Sequence, residues 1–387
     1  MNILFIRNAK LVTMTNAGVI KGDMLLQNGK IAAIGEALPV PQGVKVINAH
    51  GHMVTPGLID AHCHLGLEED AIGFEGADGN EATSPNTAQV RGIDGYTPTD
   101  RTVREALEGG VTMVATGPGS ANVIGGSFFV VKTYGDCVDD AVVKNPVAMK
   151  CAFGENPKRV YSSRQMMPST RLGIAAILRE ALAAAVDYDQ KIELAKAEGK
   201  PAPERNLKME ALLPVIHREI PLKAHVHRAD DILTAIRIAQ EFNVKLTLDH
   251  CTEGHLMAER LAKLGYPAII GPSFGSRPKV ELINKSFTTP AVLNKAGVKV
   301  AICTDSPVLP QESLPLLAGM ACEAGLPEME AFKAITLYPA QILELDDRFG
   351  SLEVGKEADV VIWQRHPFTT GAKPSHVILN GELVVEK

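Results

Sequence analysis

The chain has 387 residues, 45% of them hydrophobic and 22% charged, with a formal net charge of −6. That length suits one barrel-sized domain or one large and one small domain, and the mild acidity gives no basis for a nucleic-acid or anionic-membrane partner. No run reaches the ~18 uninterrupted apolar residues of a membrane span, MNILFIRNAK lacks a signal-peptide pattern, and six scattered cysteines without CxxC spacing read as free thiols of a cytoplasmic protein.

Residues 1–50 alternate short β-prone runs with turn signals: NILFIRNAKLVTM, GDMLLQNGKIAAIG and VKVINAHGHMVTP. From MVTPGLIDAH onward the pattern changes to short apolar segments alternating with amphipathic helical stretches. The apolar segments are GVTMVATG, PVAMKCAFG, PLKAHVH, KLTLDHC, PAIIGPS and KVAICTDSP; the helical ones include DRTVREALEGG, ADDILTAIRIAQEFN and EGHLMAERLAKLG. Continuous apolar strands followed by amphipathic helices predict a parallel sheet covered on both faces, and their repetition favours an α/β fold of the (β/α)8 type. No GxGxxG follows the first strand, which disfavours a doubly wound nucleotide-binding sheet. The glycine-rich VATGPGSANVIGGSFFVVKT lacks a P-loop ending and is expected to be a flexible loop over the barrel mouth. Residues 186–206 are a charged helix and linker, expected to be a solvated insertion. The C-terminus returns to β pattern in ADVVIWQ and HVILNGELVVEK, whose Asn-Gly signals a hairpin. The two β-rich ends are expected to pair into one small domain.

Polar residues gather where the apolar strands end, which in a barrel is the catalytic face. His62 and His64 follow GLID, and strand alternation points both the same way with Cys63 opposite. His225 and His227 lie in PLKAHVH, Asp249 and His250 end KLTLDHC, and Thr304 and Asp305 end KVAICTDSP. Lys150 sits in the apolar run VAMKCAF, with Glu155 just beyond it. One histidine at a strand end is usually a solvated or hydrogen-bonded residue; four with an aspartate are a ligand set. Imidazole and carboxylate suit zinc, manganese, iron or nickel, so one or two divalent ions are expected, zinc foremost.

The order and spacing of these residues resemble the amidohydrolase superfamily of metal-dependent hydrolases. VTPGLIDAHCHLG and GSLEVGKEADVVIW are similar to its imidazolonepropionase-related branch. The resemblance covers essentially the whole chain. It implies a metal-binding (β/α)8 barrel over residues 55–349 and a small β-sandwich built from residues 1–54 plus 350–387. It maps metal ligands onto His62, His64, His225, His250 and Asp305, with His225 preferred over His227. The strand-4 bridge falls on Lys150 as a carbamate, with Glu155 as the second candidate. The plainer alternative for Lys150 is an ion pair at the barrel bottom, and for Glu155 a helix start. The resemblance further implies C–N bond hydrolysis, with Asp305 as general base and then acid, and His255 or His227 against the oxyanion. An N-cap is the bland alternative for Asp305. Rival readings are deamination of an amidine-containing ring and a prolidase-like metallo-dipeptidase. A small-molecule substrate is the expected partner, with Lys158, Arg159 and Arg164 near the rim. Neither membrane nor nucleic acid is expected, and a homo-oligomer is compatible with the sequence.

Overall fold

A computed structural model describes residues 3–387. The two ends of the chain pair in one continuous eight-stranded sheet. Its strands are β1 (Ile3–Val12), β2 (Val19–Gln27), β3 (Lys30–Gly35), β4 (Lys45–Asn48) and β5 (Met53–Pro56), followed much later in sequence by three more. Those three are labelled after the barrel: β14 (Val360–Trp363), β15 (Pro374–Leu379) and β16 (Glu382–Glu386). The order is β16-β15-β14-β5-β1-β2-β3, with β4 on β1. Asn28-Gly29 and Asn380-Gly381 turn the β2–β3 and β15–β16 hairpins with all four residues at positive φ. That is the backbone a two-residue hairpin needs and the reason Asn-Gly marks it in sequence.

The barrel strands are β6 (Leu58–Cys63), β7 (Val111–Thr116), β8 (Ile124–Lys132), β9 (Val142–Ala152), β10 (Leu222–Val226), β11 (Leu246–His250), β12 (Ala268–Ile270) and β13 (Val300–Ile302). They hydrogen-bond in chain order. Every residue of β6, β7, β8, β10, β11, β12 and β13 is buried, which explains their unbroken apolar runs. Between the strands, the stretch Ala229–Glu241 shows how the covering helices form: Ile232, Ala235, Ile236 and Ala239 make one buried stripe.

Two expectations are corrected. The barrel is not uniformly parallel, because β8 runs antiparallel to both β7 and β9. The connection from Thr116 to Ile124 is too short for a parallel crossover, which takes a dozen or more residues, so the chain must turn back. For the same reason the glycine-rich segment is not a loop throughout: IGGSFFVVK is β8, buried at every position. Gly126 is required there, since a Cβ would lie 2.3 Å from the Val90 carbonyl. The charged stretch after residue 186 continues the helix Arg171–Glu198, whose later turns are largely solvated, and the chain packs back through Leu207–Ile216.

Closure between β6 and β13 rests on a side chain rather than on a ladder. Asp60, fully buried, accepts from the Thr304 amide (2.9 Å) and hydroxyl (2.8 Å) and from Gln311 Nε2 (2.7 Å). Its other oxygen accepts the His62 amide at 3.0 Å. The terminal sheet is welded to the barrel by a shared apolar cluster containing Val12, Met53, Val103, Leu107, Val131 and Trp363. The buried Lys132–Asp359 ion pair (2.9 Å) reinforces the same junction. No helix among the described residues is long and apolar enough to cross a membrane.

Candidate metal centre

Two groups of ligand-competent side chains face each other where the strands end: His62, His64 and Asp305, and His225, His227 and His250. In the first, Asp305 Oδ1 lies 3.3 Å from His62 Nε2 and 3.4 Å from His64 Nε2. His64 Nδ1 sits 2.7 Å from the Gly117 carbonyl, which fixes that nitrogen as the donor and leaves Nε2 for the site. Asp305 has φ 55°, a left-handed backbone that strand propensity does not favour. Local strain of this kind persists where the surroundings over-determine it.

The second group is all imidazole. Its ring centroids are 4.5 Å (His225–His250), 4.6 Å (His225–His227) and 4.9 Å (His227–His250) apart. His250, also left-handed at φ 65°, has Nδ1 2.6 Å from the Gly271 carbonyl. Its Nε2 is buried with no hydrogen-bond partner. His227 Nδ1 meets Thr252 Oγ1 at 2.8 Å.

Between and beneath the groups lies a dry layer of charge. Lys150, fully buried, has its Nζ 3.4 Å from His62 Nε2 and 3.3 Å from Asp249 Oδ2. Lys223 Nζ donates to Asp249 Oδ1 (3.0 Å) and to the Ala61 carbonyl (2.9 Å). Burial lowers the Lys150 pKa against the pull of Asp249. Burial also holds His62, His225 and His227 well below the ordinary imidazole range, helped by Lys150 at His62 and by His250 at the other two. His250 is lowered by burial as well, although Asp305 opposes it. Neutral imidazoles are the form that ligates metal. Asp305 is the opposite case: burial alone would raise it, but His250, His62 and His64 hold it ionised. Neutral nitrogens, one ionised carboxylate and an orphaned buried Nε2 together form a donor set that fits a divalent ion.

Of the residues singled out from sequence, His62, His64, His225, His250 and Asp305 all come to this mouth, and His227 joins them. Lys150 reaches it from below. Glu155 begins the helix Glu155–Ser162 and belongs to neither group. His255 belongs to neither group, and its Nδ1 lies against the Thr252 carbonyl (3.1 Å) and Thr289 Oγ1 (3.0 Å). Arg164 is engaged by the Ala82 carbonyl.

The residue sequence reasoning missed is Glu281, on the loop after β12. It is buried, with Oε1 3.7 Å from His227 Nε2 and 3.9 Å from His225 Nε2, and that oxygen lacks a hydrogen-bond partner. Its Oε2 accepts the Glu155 amide at 2.9 Å, which latches the loop across the mouth. Gly154 permits this approach, since a Cβ at its φ of 80° would sit 2.6 Å from Glu281 Oε2. Only an acid between apolar neighbours, in the run Val280 to Ile283, marked the position in sequence. A cavity of about 480 Å³ lies at the opposite end of the barrel, lined by Arg218, Lys245, Thr247 and Tyr266 and by no member of either group.

Comparison with known proteins identifies the family. The family model described as "Amidohydrolase family" matches residues 53–384. A solved amidohydrolase from Thermotoga maritima superposes with a TM-score of 0.96 at 42% identity, covering 99% of this chain and 100% of that one. Amidohydrolase tasK of Hapsidospora irregularis is 28% identical over 93% of this chain, which spans only 39% of that relative's length. The imidazolonepropionase of Colwellia psychrerythraea is 25% identical, over 98% of this chain and 96% of the relative. With a family match running from the last strand of the N-terminal β region almost to the C-terminus, the chain belongs to the amidohydrolase family.

Proposed function

We propose that the protein is a metal-dependent hydrolase that cleaves a C–N bond in a small amide or cyclic amide. The observation that carries the proposal is the pair of ligand groups sharing one barrel mouth with Lys150 between them. His62, His64 and Asp305 would hold one divalent ion, and His225 and His250 a second, with Lys150 as the bridge once carboxylated. Zinc suits this nitrogen and oxygen set best, with manganese, iron and nickel also compatible. A divalent ion held there activates water at neutral pH and polarises the scissile carbonyl.

The chain's own residues do the rest. Asp305, kept ionised by the surrounding imidazoles, takes the proton of the attacking water and returns it to the leaving nitrogen. His227 is the imidazole better placed to face the carbonyl oxygen. His255, bonded to Thr252 and Thr289, steadies the segment after β11 instead. The latch from Glu281 to the Glu155 amide keeps the loop over the mouth and limits water. We assign the catalytic unit to residues 55–349 and a supporting β-domain to residues 1–54 plus 350–387.

The test is metal analysis of protein purified without chelators, followed by turnover assays on cyclic amides, hydantoin-like rings, N-acyl amino acids, dipeptides and amidine rings. Bound zinc, manganese, iron or nickel with amide or cyclic-amide turnover supports the proposal. Ammonia release from an amidine ring alone would make the enzyme a deaminase. Cleavage of dipeptides alone would make it a dipeptidase. Absence of any bound ion would overturn the reading.

A further inference from the structure

Three histidines of the mouth have their ring orientation fixed from behind. Those of His64 and His250 are fixed by backbone carbonyls, and that of His227 by a threonine hydroxyl. His62 has no such partner. Its Nδ1 lies 3.2 Å from Asp249 Oδ2, without an aligned hydrogen bond to any group. Asp249 lies beside the ring nitrogen that a carbonyl engages in His64 and His250, and the same Oδ2 accepts from Lys150 Nζ at 3.3 Å.

Asp249 is fully buried and is held in place by more than its own strand. Lys223, also buried, spans from Asp249 Oδ1 on β11 to the Ala61 carbonyl on β6, one residue before His62. Lys223 is the register partner of Lys150 on β9. One cation therefore ties three barrel strands together beneath the site. The Phe128 ring closes the layer: it stacks on His62 at 5.5 Å and 12°, with Lys150 and Lys223 Nζ 5.5 and 5.4 Å from its centre. Packed on one face and flanked by Asp249, the His62 ring has little freedom to flip.

We propose that Asp249, braced by Lys223, is a positioning residue that keeps the His62 proton on Nδ1 and turns Nε2 toward the first ion. The assignment rests on the metal-centre reading and adds two residues that touch no ion. Outer partners that orient a ligating histidine typically change metal affinity 10–100-fold. A purely structural role for the Lys223–Asp249 pair would move stability and leave the His62 proton where it is.

The deciding experiment compares wild type with Asp249→Asn and Lys223→Met, each zinc-loaded and labelled with 15N-histidine, with circular dichroism as the check on folding. His62 is assigned from its missing signals in a His62→Asn variant. Zinc affinity is read by competition with a chromophoric chelator. The expected result is a strongly deshielded, slowly exchanging His62 Nδ1–H in wild type. Asp249→Asn loses that deshielding, Lys223→Met reduces it, and both bind the first zinc 10–100-fold more weakly. Folded variants with wild-type signal and affinity would overturn the proposal alone. If neither variant folds, the wild-type spectrum decides, and the absence of a deshielded His62 Nδ1–H overturns it. Wild-type protein that binds no zinc, manganese, iron or nickel overturns the metal-centre reading and this role together.

Discussion

The two ligand groups at the barrel mouth are built on different plans. The His62–His64–Asp305 group carries its own negative charge, and buried contacts support it: Asp60 holds the backbone of His62, Gly117 fixes His64, and Asp249 flanks the His62 ring. The His225–His227–His250 group has no carboxylate among its three side chains. Glu281, 3.7 Å from His227 and 3.9 Å from His225, arrives on a loop and is anchored to one backbone amide. His62, His225 and His250 lie within strands, and His64, His227 and Asp305 just beyond strand ends, so the barrel holds them all. Glu281 is loop-borne and can shift without unfolding the barrel. The difference points to a first group with its charge built in and a second whose neighbouring charge can move.

The most severe way to break this comparison is to remove the charge of the first group. Asp305→Asn should lower kcat 10²–10⁴-fold, the range for losing a general base, while retaining most of the bound metal. Unchanged turnover in steady-state assays would remove Asp305 from its role. Acidification tests the second group next. His225, His227 and His250 are held below the ordinary imidazole range by burial, so the unfolded chain binds their protons first. Stability of the metal-free protein is therefore complete above the unfolded pKa, near 6.5, and is lost as pH falls below it. The expected slope is up to about 1.4 kcal/mol per pH unit for each group. Urea titrations between pH 7.5 and 5 check the sign, and flat stability over that range would contradict it.

Glu281→Gln sharpens the contrast between the sites. It should weaken the second metal equivalent about 10–100-fold, as loss of an orienting partner does, and leave the first equivalent intact in a calorimetric titration. Equal weakening of both would show that the two groups act as one. The smallest effect belongs to Glu155→Gln, whose side chain belongs to neither group. Metal stoichiometry should be unchanged and kcat/KM should stay within about threefold, well under the cost of losing a ligand-orienting partner.

Much of the site was legible because strand alternation and strand ends are local properties. HCH, AHVH, DHC and TDSP each follow an apolar run, so His62, His64, His225, His250 and Asp305 could be placed on one face before any coordinates. The paired termini were legible through Asn-Gly hairpins. The reversal of β8 was not, because an apolar run carries no mark of direction. Only the shortness of the preceding turn sets it. Glu281 was hidden because its role depends on how a loop folds across the mouth. Lys223 was hidden in LKAHV, where its need for Asp249 comes from pairing between strands that sequence spacing does not encode.

The Asp60 seam has a consequence for the order in which the molecule is made. Asp60 joins β6 to Thr304, a partner 244 residues later. The His62–His64–Asp305 group therefore cannot assemble until the segment carrying Thr304 and Asp305 has been made. The three imidazoles between residues 225 and 250 are complete much earlier. Domains tend to fold as they emerge, so a chain truncated before Thr304 would carry an early cluster of imidazoles with no closed barrel around it. Tying the first group to the segment after the last barrel strand makes its assembly wait until the barrel can close.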